Sequence, residues 1–297
     1  MKKIIVLLFV TLLTITAGFA QQDKTANRTI RLTVGDVTMS IDTENGGKIM
    51  SLKYKDKEMM SQLRWPESFG GTFWTSPQKE WNWPPVPEFD KLPYTVEQEN
   101  ERLIITSQVS EKLKYRIRKE FTTDEKGQAI VVKYTIINES DEERHVAPWE
   151  ITRVPNSGII FFDAPVEGIT PANLLPFKAE YGAVWYQTDE ANNNRKINAD
   201  GKGWLAYAND GLMMVKQFDD LKASQPAPDE AEIQVYVNRG KTFIELECQG
   251  AYTALEPKQQ LSWTVRWYLV PIEEEAQPSQ ALLKRIQEII KPSSISQ

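Results

Sequence analysis

The run Glu232-Ile233-Gln234-Val235-Tyr236-Val237-Asn238-Arg239-Gly240-Lys241-Thr242-Phe243-Ile244-Glu245-Leu246-Glu247-Cys248-Gln249 reads as two strands joined by a tight turn. Apolar and polar residues alternate on both sides of Asn238-Arg239-Gly240-Lys241, and that alternation is the period of a strand with two distinct faces. On the second strand Ile244, Leu246 and Cys248 share one face, so Glu245, Glu247 and Gln249 share the other. Two glutamates and a glutamine in a row are an odd choice for packing. They suit either a solvated sheet face or a polar groove that recognises hydroxyl groups and moves protons.

The same rhythm extends in both directions. Ile30 to Val34 and Val37 to Ile41 flank a Gly35-Asp36 turn, and Asn45-Gly46-Gly47 precedes a third alternating run, Lys48 to Tyr54. Strands follow at Arg102 to Gln108, Leu113 to Phe121 and Gln128 to Ile137. His145 to Val154 is also strand-like, but Pro148 inside it predicts an edge or bulged position. After Ile159 to Phe162, residues 163–202 show little periodicity and read as a long irregular segment. Gly203 to Ala208 and Leu212 to Phe218 form a hairpin through Asn209-Asp210-Gly211, and Leu261 to Val270 closes the β region. Only Ser279 to Ile290 has helical spacing, with Leu282, Leu283, Ile286, Ile289 and Ile290 on one face and Pro292 beyond. About fifteen strands and one terminal helix predict an all-β protein with two large packed sheets.

Composition narrows the class. Met1-Lys2-Lys3 and the apolar run Ile4 to Leu13, followed by Gly18-Phe19-Ala20, read as an export signal over residues 1–20. That leaves 21–297 as a single domain, since no linker interrupts the strands, and predicts an exported, periplasmic or secreted protein with no membrane span. The formal charge of −6 argues against nucleic acid as a partner. One cysteine, Cys248, permits no intrachain disulfide, so stability must come from the core, and its strand position predicts that it is buried. No zinc-type spacing, phosphate-binding glycine loop or nucleophile elbow is present, and neither cofactor nor metal is expected.

Four of the nine tryptophans, Trp65, Trp74, Trp81 and Trp83, fall in and just before the stretch Gly70 to Pro87. Its prolines predict a stiffened loop. Indoles held rigidly at a surface suit the C–H face of a sugar ring, with Gln78, Lys79, Glu80 and Asn82 for its hydroxyls. The alternative is a loop that plugs the end of a sandwich. Among groups able to move protons, Glu150 sits between apolar neighbours in Pro148-Trp149-Glu150-Ile151-Thr152-Arg153, where burial would raise its pKa. Arg153 nearby could counter that shift or bind an anionic group. The single histidine, His145, follows a charged turn and reads foremost as a surface residue at a strand start.

Several of these runs resemble a known superfamily. Ile41-Asp42-Thr43-Glu44-Asn45-Gly46-Gly47-Lys48-Ile49, the Gly71-x-x-Trp74-x-x-Pro77-Gln78 loop, the Asn138-x-Ser140-Asp141 turn and the Glu247 strand before Leu255-Glu256-Pro257 resemble the galactose mutarotase-like superfamily. Phe73-Trp74-Thr75-Ser76-Pro77-Gln78 to Trp83-Pro84-Pro85 and Ala147-Pro148-Trp149-Glu150-Ile151-Thr152-Arg153-Val154 resemble the DUF4380 group within it. The resemblance implies a β-supersandwich with a carbohydrate-binding concave face. It also implies sugar 1-epimerase chemistry, in which a late-strand glutamate acts with a histidine. Glu247 falls near that glutamate's place, whereas the histidine's place falls close to Glu150 and His145 lies several residues too early. The expected function is therefore sugar binding, with Trp74, Trp81, Trp83 and Trp149 stacking and Gln78 and Arg153 in polar contact. Aldose 1-epimerase-like isomerisation would use Glu247 as base and Glu150 as acid. The alternatives are glycoside cleavage by this carboxylate pair and a non-catalytic glycan-binding module of a polysaccharide-utilisation system.

Overall fold

Strand-period sequences need a partner layer for their apolar faces, and here two antiparallel sheets supply it to one another. The computed structural model describes residues 29–65 and 68–290, so the segment read as an export signal lies outside the described residues. The first sheet, called the site sheet below, runs in the order Thr29–Val34, Val37–Asp42, Lys48–Tyr54, Gly71–Ser76, Arg144–Val154, Ile244–Gln249, Ile233–Val237, Arg195–Ala199. Thr253–Leu255 and Lys57–Glu58 add short pairings to it. The back sheet runs Lys178–Glu180, Ala183–Gln187, Ile159–Phe162, Trp204–Asn209, Leu212–Gln217, Gln260–Pro271, Ala129–Asn138, Tyr115–Asp124, Arg102–Thr106, Thr95–Glu99. The architecture is the all-β pair of packed sheets that the patterning predicts and the supersandwich that the resemblance implies.

The core lies between the sheets. Phe73 of the site sheet stacks on Tyr134 of the back sheet, centroids 4.3 Å apart and planes 4° from parallel. Ile244, Leu246 and Cys248 are buried, each aliphatic contributing about 1.5–3 kcal/mol by leaving water. The Asn45-Gly46-Gly47 turn takes positive φ at both glycines. A Cβ on Gly46 would lie 2.5 Å from the backbone of Asp90. Lys119, on the apolar phase of Tyr115–Asp124, is buried against this turn and donates to the carbonyls of Gly46 and Gly47 at 3.0 and 2.9 Å. Burial pushes its ammonium down to about 7. The helix Gln280–Ile289 begins at Ser279, whose hydroxyl accepts from the Leu282 amide at 3.2 Å, and it buries Leu282, Leu283 and Ile286.

Three expectations change. The strand carrying Pro148 is central, flanked by Gly71–Ser76 on one side and by Ile244–Gln249 and Thr253–Leu255 on the other. Pro148 is tolerated because it sits where the neighbour changes, between the Val146↔Thr253 and Trp149↔Gln249 pairs. There its carbonyl accepts from the Gly250 amide at 2.9 Å, and no ladder donor is required of it. The tryptophan-rich stretch is not all loop, since Gly71–Ser76 is a fully buried strand of the site sheet. Residues 163–202 hold three strands, Lys178–Glu180, Ala183–Gln187 and Arg195–Ala199. Their shortness leaves too few alternations to read.

Candidate functional site

Register puts a defined set of side chains on the outer face of the site sheet. Trp149 pairs with Trp74 on one side and Gln249 on the other, Ile151 with Thr72 and Glu247, and Arg153 with Glu245. Directly paired residues share a face, so Trp74, Trp149, Arg153, Glu245, Glu247 and Gln249 all point outward. Gln234 and Tyr236 join them opposite Glu247 and Glu245, and Lys196 joins opposite Tyr236. Over this face opens a cavity of about 540 Å³, walled by Trp65, Trp74, Trp83, Trp149, Tyr236 and Phe243, with Gln78, Asn194, Lys196, Asn238, Arg239 and Glu245 among its polar lining.

The tryptophans divide by role. Trp83 is 60 % exposed and meets Trp74 edge-on at 6.0 Å, while Trp65 contributes a second exposed indole to the cavity. Trp74 and Trp149 form its floor, 5.5 Å apart at 83°, each fixed by its N–H: Trp74 donates to Asp90 Oδ1 at 3.0 Å and Trp149 to Glu247 Oε2 at 2.9 Å. Trp81, expected to stack on ligand, is only 4 % exposed and donates to the Thr75 carbonyl at 2.8 Å. It supports Trp74 and Trp149 from beside them and does not line the cavity. The reason is local: the chain turns back at Gln78–Glu80, which brings the Trp81 indole against the strand it has just left.

The charged residues are mostly matched. Arg153 is buried behind the cavity wall, with Nη2 2.7 Å from Glu245 and its guanidinium over the rings of Trp74 and Phe243 at 5.8 and 5.6 Å. It therefore positions Glu245 and does not reach the cavity itself, contrary to its expected direct contact with ligand. Lys196 lies over Trp149 at 4.7 Å and pairs with Glu247 Oε2 at 2.9 Å. Glu247 is buried beneath these two and is not part of the lining. Burial pushes its carboxyl up to about 7. Lys196 opposes that rise and Glu245 adds to it. Its Oε1 is buried with no hydrogen-bond partner among the described residues. Gln78 borders the cavity, and its backbone N–H donates to Glu230 Oε1 at 2.9 Å. Glu230 in turn receives Gln234 and Gln249 through Oε2.

Glu150 is not in this site. It lies one position from Ile151, so its side chain leaves the opposite face of the sheet and enters the space between the layers. There it is fully buried and pairs with Lys216 of the back sheet at 2.5 Å, with Thr152 and Cys248 alongside. The expected pairing of Glu150 and Glu247, as acid and base or as two cleaving carboxylates, is corrected by this parity. His145 is exposed near Glu143 and Tyr252, away from the cavity lining. Lys196, Tyr236, Asn238, Arg239 and Phe243 did not stand out in the sequence. The polar alternation Gln234, Tyr236, Asn238 on the partner of the Glu245–Glu247 strand was the available signal. Among the described residues no group of three or more His, Cys, Asp or Glu is placed to hold a metal ion, and no helix is long and apolar enough to cross a membrane.

The two-sheet antiparallel supersandwich is a recognisable architecture, and solved structures share that fold. A galactose mutarotase-like protein from Lactobacillus casei ATCC 334 superposes with a TM-score of 0.55 at 14% identity, over 82% of this chain and 100% of its own. A galactose mutarotase related enzyme from Lactobacillus acidophilus gives 0.55 at 12%, over 84% and 100%. A TPR-domain containing protein from Parabacteroides distasonis ATCC 8503 gives 0.58 at 12%, over 85% of this chain and 48% of its own. No family model and no curated protein matches the sequence. At these identities the likeness is one of fold: the chain has the galactose mutarotase-like fold.

Proposed function

We propose that this chain is an exported carbohydrate-binding protein of the DUF4380 type, holding a mono- or oligosaccharide in the cavity between Trp83, Trp65 and the Asn238 turn. The observation that carries the reading is the pairing of two exposed indoles with a fixed polar lining over an open volume of about 540 Å³. Sugar rings present an apolar C–H face and a polar edge, and the cavity presents both complements at once. Its floor is already assembled, because Trp74 and Trp149 are each held by a hydrogen bond, so little side-chain freedom remains to be lost on binding. Isothermal titration calorimetry against neutral mono- and oligosaccharides tests it. Binding lost in Trp83→Ala but kept in His145→Ala supports the site, and equal binding by wild type and Trp83→Ala removes it.

A second reading, anomer interconversion, is favoured by one observation. Glu247 holds a carboxyl raised to about 7, with one oxygen unpartnered among the described residues. Because Lys196 and Trp149 cover it, this chemistry requires Lys196 to move aside. Proton NMR of freshly dissolved α- and β-anomers decides: equilibration accelerated by wild type and not by Glu247→Gln supports it, and equal rates for the two proteins sink it.

A further inference from the structure

The charged side chains that line or underlie the cavity are mostly engaged in pairs. Glu245 is taken by Arg153 at 2.7 Å and Lys196 by Glu247 at 2.9 Å. Arg239 is the exception. It lines the same cavity, is exposed, and makes no ion pair among the described residues. Its backbone is pinned: the Arg239 amide donates to Asn194 Oδ1 at 2.8 Å, the Gly240 amide to Asn192, and Lys241 bridges to Glu190 at 2.7 Å. Asn194 is itself part of the lining. The turn is thus tied to the Glu190–Asn194 loop, and Arg239 lines, from an anchored base, the same cavity that Trp65 and Trp83 line.

An aromatic-walled cavity also suits a cationic ligand such as a quaternary ammonium group. Here the aromatic faces already carry the protein's own cations, Lys196 over Trp149 and Arg153 over Trp74 and Phe243. A third cation would meet these and Arg239, while Glu245 is held by Arg153 and Glu247 is buried beneath Lys196, outside the lining. The unmatched charge is positive, so the complementary ligand group is an anion.

We propose that the saccharide bound here carries an acidic substituent, a ring carboxylate or a sulfate ester, that docks on Arg239 while the sugar ring lies against the exposed indoles. The inference rests on the carbohydrate-binding reading above and narrows it to acidic sugars. A planar guanidinium donates two parallel N–H bonds to the oxygens of a carboxylate or sulfate, a two-point contact that gives direction as well as attraction. The chain as a whole is acidic, at −6, so long-range attraction opposes an anionic ligand and the preference must be local to this rim.

Calorimetry of the full protein with methyl glycosides of glucose and galactose, the matching uronides and the matching 6-sulfates tests the proposal. Methyl glycosides cannot change anomer, so only binding is read. The expected result is that at least one acidic series binds about tenfold tighter than its neutral parent, as one charge-assisted contact warrants. Tighter binding of uronides identifies the carboxylate, and of sulfates the ester. In Arg239→Gln the ratio of acidic to neutral affinity falls to about one, and in wild type it shrinks as salt is raised. Equal affinity for acidic and neutral series overturns this inference and leaves sugar binding standing. An acidic preference that survives Arg239→Gln overturns the role given to Arg239. Failure of every glycoside to bind removes the underlying reading and this one with it.

Discussion

The two faces of the site sheet treat neighbouring glutamates in opposite ways. Glu150 and Glu247 sit on adjacent strands, one step apart in register, and both are buried. Glu150 faces inward, where Lys216 pairs with it and also donates to the Leu246 carbonyl at 2.7 Å, closing a contact between the layers. Glu247 faces outward, where Lys196 and Trp149 share one of its oxygens and leave the other without a partner. A carboxylate whose partners are complete holds structure together. One whose partners are incomplete keeps an oxygen that can hold a proton or accept a further bond once its cover moves aside. Parity along a strand, not sequence neighbourhood, decides which is which.

The comparison breaks most sharply if the inner pair is cut. Lys216→Met leaves Glu150 buried without its cation and should cost about 3–5 kcal/mol in urea unfolding. Replacing both, Glu150→Leu with Lys216→Met, should recover much of that loss, and a double variant no more stable than the single one would show that the pair does not act as a unit. Trp81→Ala should cost about 3 kcal/mol as a core truncation, whereas Trp83→Ala should leave the melting temperature in place and weaken sugar binding about tenfold. If the two tryptophans exchange these outcomes, the division of the cluster into support and contact is wrong.

A subtler test uses pH. The carboxyl of Glu247 is raised to about 7 from an ordinary value near 4.5, so between these pH values the folded protein retains a proton that the unfolded chain has lost. Its contribution to stability is therefore full below about 4.5 and fades as pH rises to about 7. Glu232, raised to about 7 by burial although the Gly203 and Leu221 amides donate to it, works in the same sense. Lys119, lowered to about 7, works oppositely: its contribution is full above about 10.5 and fades as pH falls to about 7. Glu247→Gln should flatten the acid-side part of the stability profile, measured as urea midpoints across pH 4.5 to 7. An unchanged slope would mean that Glu247 is ionised throughout. The smallest effect is expected at His145, where His145→Ala should change binding by less than about twofold, since the ring is exposed and outside the cavity lining.

Period-2 patterning carried most of the fold, because strands such as Ile244–Gln249 have one wet and one dry face and announce both. It failed at Gly71–Ser76, which is buried on both faces and so does not alternate, and which ends at a cluster of prolines that signals a loop. Pro148 misled for a related reason, since a missing N–H is harmful only where a ladder asks for it. The site was half legible. Glu247, Trp74, Trp83, Trp149 and Gln78 converge at or beneath the cavity, but parity relative to the other sheet was needed to remove Glu150, and no local signal told buried Trp81 from exposed Trp83. Arg239 and Lys196 were hidden because a turn and a short strand with few alternations bring them in from afar.

The bond from Lys216 to Glu150 has a kinetic side. Because the back sheet reaches through the core to hold the strand of Trp149 and the carbonyl of Leu246 from behind, the floor of the cavity is braced against sagging or shifting register to meet an incoming molecule. Association should then be a single-step encounter whose rate hardly varies from one sugar to another. Discrimination between sugars would be expressed almost wholly in how long each one stays.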